Sequence, residues 1–109
     1  MNKLIMDIKL IIFTYNRSSH LQRLVDSLRD NNEFNQLEVC FAIDAPKTPF
    51  DENEQKKIFI IINELKKEHK KIEVILQKKN LGSKKHIKTI VDKNFIDYEK
   101  LIILEDDLE

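Results

Sequence analysis

The sequence is poor in residues that mark specialised protein classes: it has one glycine, two prolines, one cysteine and no tryptophan. So little glycine and proline excludes collagen-like and linker-like chains. A single glycine also cannot build a glycine-rich phosphate loop or a dinucleotide fingerprint. The lone cysteine, Cys40, excludes a disulfide framework and cannot by itself make a cysteine-ligated zinc site. This cysteine usage indicates a reducing compartment, and we expect a cytoplasmic protein.

Net charge and long apolar runs are also missing. Nineteen Lys and Arg residues balance nineteen Asp and Glu residues, so we expect no basic field for nucleic acid or anionic lipid. The run Ile58–Ile62 has five apolar residues, whereas a membrane helix needs about 20. At the amino end, Asp7 and Lys9 interrupt the apolar residues before a signal peptide could form. We therefore expect no integral membrane segment.

What is present is a chain of 109 residues that is 41% hydrophobic. That is enough for one domain with its own core, and we expect a single domain over 1–109. Short apolar runs predict four strands: Ile8–Phe13, Leu37–Ile43, Ile72–Leu76 and Leu101–Leu104. Between them, apolar residues recur at helical spacing. The first predicted helix carries Leu21, Leu24, Val25 and Leu28, the second Ile58, Ile61, Ile62 and Leu65, and the third Ile87, Ile90 and Val91.

Strands that alternate with helices predict an α/β fold: a Rossmann-like parallel sheet of about four strands with helices on both faces. Asn16, Ser18 or Ser19 is predicted to cap the first helix. Asp51 and Glu54 have the spacing of a capping box for the second. In open sheets of this kind, ligands bind at the carboxyl ends of the strands.

Polar residues follow every predicted strand. They are Thr14–Arg17 after the first, Asp44 after the second, Gln77 and the Asn80–Gly82 turn after the third, and Glu105–Asp107 after the fourth. Three consecutive carboxylates at a strand end suit Mg²⁺, Mn²⁺ or Ca²⁺, although an exposed acidic tail has the same sequence pattern. Arg17 stands where a helix begins, which favours phosphate; a surface arginine is the alternative.

The remaining candidate groups have plainer interpretations. A surface position is the default for each of the three histidines His20, His69 and His86. A cationic His69 would also suit the carboxyl end of the second helix. Cys40 is predicted to be a small core residue. These residues form no recognisable Ser-His-Asp or Cys-His arrangement.

The order and spacing of these motifs resemble the nucleotide-sugar-binding half of GT-A-fold glycosyltransferases. The segment Ile11–Arg17 is similar to the family 2 inverting transferases. The ending Leu104–Glu109 is similar to N-acetylglucosaminyltransferase I, whose DXD-type motif is Glu-Asp-Asp. Asp44 and the Asn80–Gly82 turn complete the match, which covers nearly the whole chain. The resemblance implies a GT-A-like domain that binds a nucleotide-sugar donor, with a UDP-sugar expected, for inverting transfer to an acceptor hydroxyl.

The resemblance also implies roles for single residues. The nucleotide-sugar-binding residues would be Thr14, Tyr15, Asn16, Arg17, Asp44, His86, Glu105 and Asp106. Among these, Arg17 would contact the nucleotide, Asp44 would hold the uracil or ribose, and His86 would pack near the base. Glu105 and Asp106 would surround the ribose and the water shell of the metal.

Asp107 would coordinate the metal, Mn²⁺ or Mg²⁺, that bridges the diphosphate. Such a cation neutralises the charge that develops as the glycosyl bond breaks. The acceptor hydroxyl also needs a general base, which in this family lies downstream of the metal motif. Because the sequence stops two residues after Asp107, it contains no catalytic base that can be named. We expect a domain truncated just after the acidic motif, with doubtful catalysis of its own.

Two other classes of function fit parts of the sequence. One is a small metal-binding regulatory domain of receiver type. A receiver needs an acidic pair after the first strand and an aspartate after the third, where this chain has Thr14–Tyr15 and Gln77. The other is a non-catalytic interaction module that self-associates through an unfinished sheet edge.

Overall fold

The computed structural model describes residues 8–95, 98 and 100–106, and within these the fold is α/β. Within these residues four strands alternate with three α-helices. In chain order the elements are β1 (Ile8–Thr14), α1 (Ser18–Arg29), β2 (Glu38–Ile43), α2 (Pro49–Lys66), β3 (Ile72–Leu76), α3 (Ser83–Phe95) and β4 (Lys100–Glu105), with a short 3₁₀ turn at Phe34–Gln36 before β2. The predicted strands are confirmed, with ends that differ by at most one residue.

The sheet is parallel throughout and its strand order is β3-β2-β1-β4. The strands step from β1 to β2 to β3 in one direction, and the chain then returns to place β4 on the other side of β1. The register pairs Phe13 of β1 with Ala42 of β2 and with Glu105 of β4. The carboxyl ends of β1, β2 and β4 are therefore level with one another.

Both faces of the sheet are covered by helices, as predicted. On one face, α1 and α2 pack their apolar stripes against alternate residues of β1 and β2; the fully buried members include Leu21, Ile58, Ile12 and Phe41. On the other face, α3 packs Ile90 against Ile11, Cys40 and Ala42. Side chains on a strand alternate between faces, so the continuous apolar runs of β1 and β2 supply both cores. This is the Rossmann-like arrangement.

The helix starts differ from the predicted ones. Arg17 occupies the N-cap position of α1 and makes no side-chain capping bond. Thr48 caps α2, where its Oγ1 accepts from the Asp51 N–H at 3.1 Å and Pro49 follows at the first helical position. The capping box expected from Asp51 and Glu54 is wrong, because Asp51 bonds to Tyr15 after β1 and Glu54 bonds to Ser18 at the start of α1 instead. The Asn80–Gly82 turn is confirmed, and Gly82 has a φ of +84°, a conformation that favours glycine.

β4 is an edge strand of the described sheet. Its central residues Ile102 and Ile103 are 44% and 43% exposed, although they point to opposite faces. No described helix is both long and apolar enough to cross a membrane.

Candidate functional site

A cleft of about 430 Å³ opens at the carboxyl ends of β1, β2 and β4. It lies where the strand order reverses, which is where open α/β sheets bind ligands. Its volume is within the range of small-molecule sites. The lining residues are Phe13, Thr14, Tyr15, Asn16, Arg17, Asp44, Lys47, Thr48, Asp51, Asn80, Gly82, Ser83, His86, Ile87, Glu105 and Asp106. All eight nucleotide-binding candidates are among them.

The ends of β1 and β4 are joined inside the cleft. The Asp106 N–H donates to the Phe13 carbonyl at 3.2 Å, which extends the ladder by one residue. The Thr14 hydroxyl donates to Oδ2 of the buried Asp106. Glu105 is half-buried, and no described group pairs with its side chain. Asp107, the predicted metal ligand, lies outside the described residues.

Asp44 is buried at the end of β2 and holds the turn before α3. Its carboxylate accepts from the backbone N–H groups of Ala45 at 2.9 Å, Leu81 at 2.9 Å and Gly82 at 2.9 Å. Asn80 reinforces the same junction, because its side-chain amide donates to the Ala45 carbonyl at 2.7 Å. Asp44 therefore fixes one wall of the cleft, and its role toward a uracil or ribose stays a prediction.

Tyr15 and Asn16 are tied to the first turn of α2 through Asp51. The Tyr15 hydroxyl donates to Asp51 at 2.7 Å and the Asn16 amide donates to it at 2.9 Å. These hydrogen bonds hold the pKa of the Asp51 carboxyl at about 2. Burial, with smaller contributions from Asp51, raises the pKa of Tyr15 to about 12. At neutral pH, Asp51 is thus a carboxylate and Tyr15 a protonated donor.

Arg17 is exposed at the mouth of the cleft, and among the described residues nothing pairs with its guanidinium. We predicted that Arg17 and the amino terminus of α1 would favour a phosphate together, and the contribution of the helix needs correction. Glu54 of α2 already accepts from the Ser18 N–H at 3.0 Å and from the Ser18 hydroxyl at 2.8 Å. The first N–H of α1 is therefore already bonded to a protein carboxylate, and among the described lining residues the side chains of Arg17 and Lys47 are the cations available to an anion.

His86 is buried against the cleft, 4% exposed, which contradicts the default surface position. The Gln77 side-chain amide donates to its Nδ1 at 3.2 Å, so the proton of the neutral ring is on Nε2. Its ring meets Phe13 edge-on at a centroid distance of 5.4 Å. Nε2 is buried without a hydrogen-bond partner in the described structure. A buried N–H left without an acceptor is uncommon and is costly.

The other two histidines and the cysteine lie away from the cleft. His69 is 2% exposed, so its predicted surface position is wrong. Its Nε2 donates to the Phe34 carbonyl at 2.8 Å and its Nδ1 accepts from the Lys71 N–H at 3.1 Å. His20 is half-buried on α1. Cys40 is a buried core residue, as predicted, and burial raises the pKa of its thiol to about 12.

The charge of the cleft is unbalanced. Among its described lining residues, four carboxylates, those of Asp44, Asp51, Glu105 and Asp106, face two cationic side chains. No three described acids, histidines or cysteines converge as a ready-made metal site. Mg²⁺ and Mn²⁺ bind through one or two carboxylates and complete their shells with water and substrate phosphates. The Glu105 and Asp106 carboxylates fit that donor chemistry.

Sequence reasoning missed three residues whose contacts position the segments around the cleft, Asp51, Glu54 and Lys47. Gln77 was identified as a polar residue directly after β3, but its contact with His86 was not predicted. Asp51 and Glu54 were assigned to local capping, and nothing in their spacing reveals partners 35 and 36 residues earlier in the chain.

Comparison of the chain with protein-family models, with curated proteins and with solved structures found no match.

Proposed function

We propose that the cleft binds a nucleoside-diphosphate sugar together with a divalent cation, as the donor-binding half of a glycosyltransferase-like domain. The observation that carries the proposal is the convergence of Arg17, which has no partner among the described residues, with Glu105 and Asp106 in one cleft at the strand-order reversal. A guanidinium suits phosphate, and neighbouring carboxylates suit a hard cation. The motif resemblance names the same residues.

Charge supports the cation as part of the ligand. A nucleoside diphosphate is an anion, and carboxylates outnumber the cations that line the cleft. Binding the diphosphate without a counter-charge would therefore be unfavourable. A divalent cation bound at Glu105 and Asp106, with Asp107 as the proposed direct ligand, would supply that charge. When bound, such a cation stabilises the negative charge on a departing diphosphate.

His86 supports a nucleobase in the part of the cleft next to Phe13. Its Nε2–H has no acceptor among the described residues and is shielded from solvent, so a base carbonyl such as that of uracil would accept from it after a small shift of the ring toward the cleft. The Phe13 ring holds the imidazole from the side. In this proposal Arg17 would contact the phosphates and His86 the base, and the turn held by Asp44 lines the same cleft.

Isothermal titration of the protein with UDP, UDP-N-acetylglucosamine and UDP-glucose, each with and without Mn²⁺, tests the proposal. We expect saturable binding that requires Mn²⁺. Arg17→Ala should weaken it about tenfold or more, because charge-assisted contacts to phosphate are strong. Arg23→Ala is the matched control, since Arg23 is exposed on α1 and does not line the cleft.

Absence of binding by all three ligands with Mn²⁺ and with Mg²⁺ would overturn the proposal. Equal affinities with and without the cation would contradict the metal part alone. Asp107→Asn and Asp106→Asn then assign the cation, because each should weaken Mn²⁺-dependent binding while leaving the fold intact by circular dichroism.

A further inference from the structure

Asp51 connects the loops that form the cleft. Its carboxylate has three donors: the Tyr15 hydroxyl at 2.7 Å, the Asn16 amide at 2.9 Å and the Lys47 N–H at 3.0 Å. All three donors belong to residues that line the cleft. Two follow β1 and the third follows β2, so one buried side chain joins two separate loops.

The third loop is joined through Tyr15. The Asn80 amide, which follows β3, approaches the Tyr15 hydroxyl at 3.4 Å and donates to the Ala45 carbonyl at 2.7 Å. Asp51, Tyr15 and Asn80 thus form a chain of contacts that runs across the segments after β1, β2 and β3. Residues whose rotamers are held by such outer contacts keep binding groups in place.

Helix capping does not account for this arrangement. Thr48 already caps α2, and it does so by accepting from the Asp51 backbone N–H. The Asp51 side chain takes no part in that cap. It accepts hydrogen bonds from the Lys47 N–H and from Tyr15 and Asn16 after β1. That segment leads directly into Arg17, whose own side chain has no partner among the described residues.

We propose that Asp51 is a positioning residue of the cleft, which holds the Tyr15–Asn16 segment so that Arg17 is directed toward the anionic part of the ligand. This inference rests on the proposed function. It assigns Asp51 no contact with the ligand: the carboxylate acts through Tyr15 and Asn16. Removing its charge should therefore change affinity through the placement of Arg17, without removing any binding group.

The test uses Asp51→Asn, with UDP and Mn²⁺ as the probe. The amide replaces one acceptor oxygen with a donor, which faces the existing donors from Tyr15, Asn16 or Lys47. We expect the affinity for UDP with Mn²⁺ to fall about 10–100-fold, the usual effect of losing an outer-shell partner. Glu52→Gln is the matched control, because Glu52 is exposed in the same turn, and its affinity should stay unchanged.

The pKa of Tyr15 distinguishes loss of the Asp51 contacts from a general destabilisation of the fold. The chain has two tyrosines and no tryptophan, so in a Tyr98→Phe background the tyrosinate absorbance reports Tyr15 alone. In that background Asp51→Asn should lower the pKa of Tyr15 from about 12. The pKa of Tyr15 should nevertheless stay above its ordinary value, because the side chain remains partly buried. Tyr15→Phe, which keeps the ring and removes the donor, should also weaken binding and serves if Asp51→Asn does not fold.

The outcomes are distinct. If the unmodified protein binds UDP with Mn²⁺, and both Asp51→Asn and Tyr15→Phe bind it equally well, the positioning role is overturned while the proposed function stands. If Asp51→Asn and Glu52→Gln lose affinity alike, the effect is not specific to the Asp51 contacts and the inference is wrong. If the unmodified protein does not bind, the proposed function fails and this inference fails with it.

Discussion

The Thr14 hydroxyl donates a hydrogen bond to the Asp106 carboxylate across 92 residues of sequence. Both side chains are buried, and the bond joins the central strand β1 to the edge strand β4 at the cleft. It holds one of the two described acids proposed to receive a cation.

Replacement of Thr14 by valine keeps the shape of the side chain and removes this donor. We expect the free energy of unfolding to fall by about 1–3 kcal/mol, because the acceptor is a buried carboxylate. Urea unfolding measures the change. Thr89→Val is the control, since Thr89 is exposed on α3, and equal losses in the two variants would contradict the prediction.

Replacement of His69 should destabilise the fold strongly. Its ring bonds two backbone groups, the Phe34 carbonyl and the Lys71 N–H, in a site that is 2% exposed. His69→Ala leaves both backbone groups without their hydrogen-bond partner and should lower the free energy of unfolding by at least about 2 kcal/mol. His20→Ala, at a half-buried position on α1, should cost clearly less in the same urea experiment.

Because folding lowers the pKa of Asp51, the free energy of unfolding should vary with pH in the acid range. Its folded-state pKa is about 2, below the ordinary value of 3.8, so folding favours the ionised form. This contribution is complete above about pH 4 and is lost as the pH falls toward about 2. The stability difference between the unmodified protein and Asp51→Asn should narrow over that interval in urea titrations. A difference that stays constant with pH would contradict it.

Cys40 should be unreactive while the protein is folded. Burial raises the pKa of its thiol to about 12, so little reactive thiolate exists at neutral pH. Because the chain has one cysteine, an aromatic disulfide reagent reports this site alone. We expect slow labelling that accelerates strongly in urea. Rapid labelling of the native protein would show that the core between α3 and the sheet opens readily.

Self-association through the β4 edge stays a prediction with a direct test. Ile102 and Ile103 are each more than two-fifths exposed on this strand, which has no further partner strand among the described residues, and such a strand edge favours pairing. We expect sedimentation to detect dimers that Ile103→Lys abolishes. Ile60→Lys, at a 63% exposed position on α2, should leave the dimers intact. A monomer at every concentration would contradict the prediction.

The fold was predictable because its signals are local. Continuous apolar runs marked the strands, helical spacing marked the helices, and parallel pairing then brought Thr14, Asp44 and Asp106 to one edge. The strand order also argues against a receiver-type domain, since β3 pairs with β2 and not with β1 as in the flavodoxin-like order.

What escaped prediction depends on distant partners. The local capping pattern at Asp51 and Glu54 gave no sign of their real partners, which are Tyr15 after β1 for Asp51 and Ser18 at the start of α1 for Glu54. His69 follows a helix end and would ordinarily be solvated, but the 3₁₀ turn at Phe34–Gln36 brings a backbone carbonyl to it. Tertiary contacts of this kind leave no periodic trace in the sequence.

The position of β4 beside β1 has a consequence for folding. A nascent chain that has folded only as far as β3 can form the β1–β2–β3 layer and bury much of its apolar surface, but its cleft lacks one wall. Closing it requires pairing between strands that are most distant in sequence, which carries a large loop-closure entropy. A ligand that binds across β1 and β4 would stabilise the closed form by mass action. Amide hydrogen exchange along β4 should then slow more on ligand binding than exchange along β2.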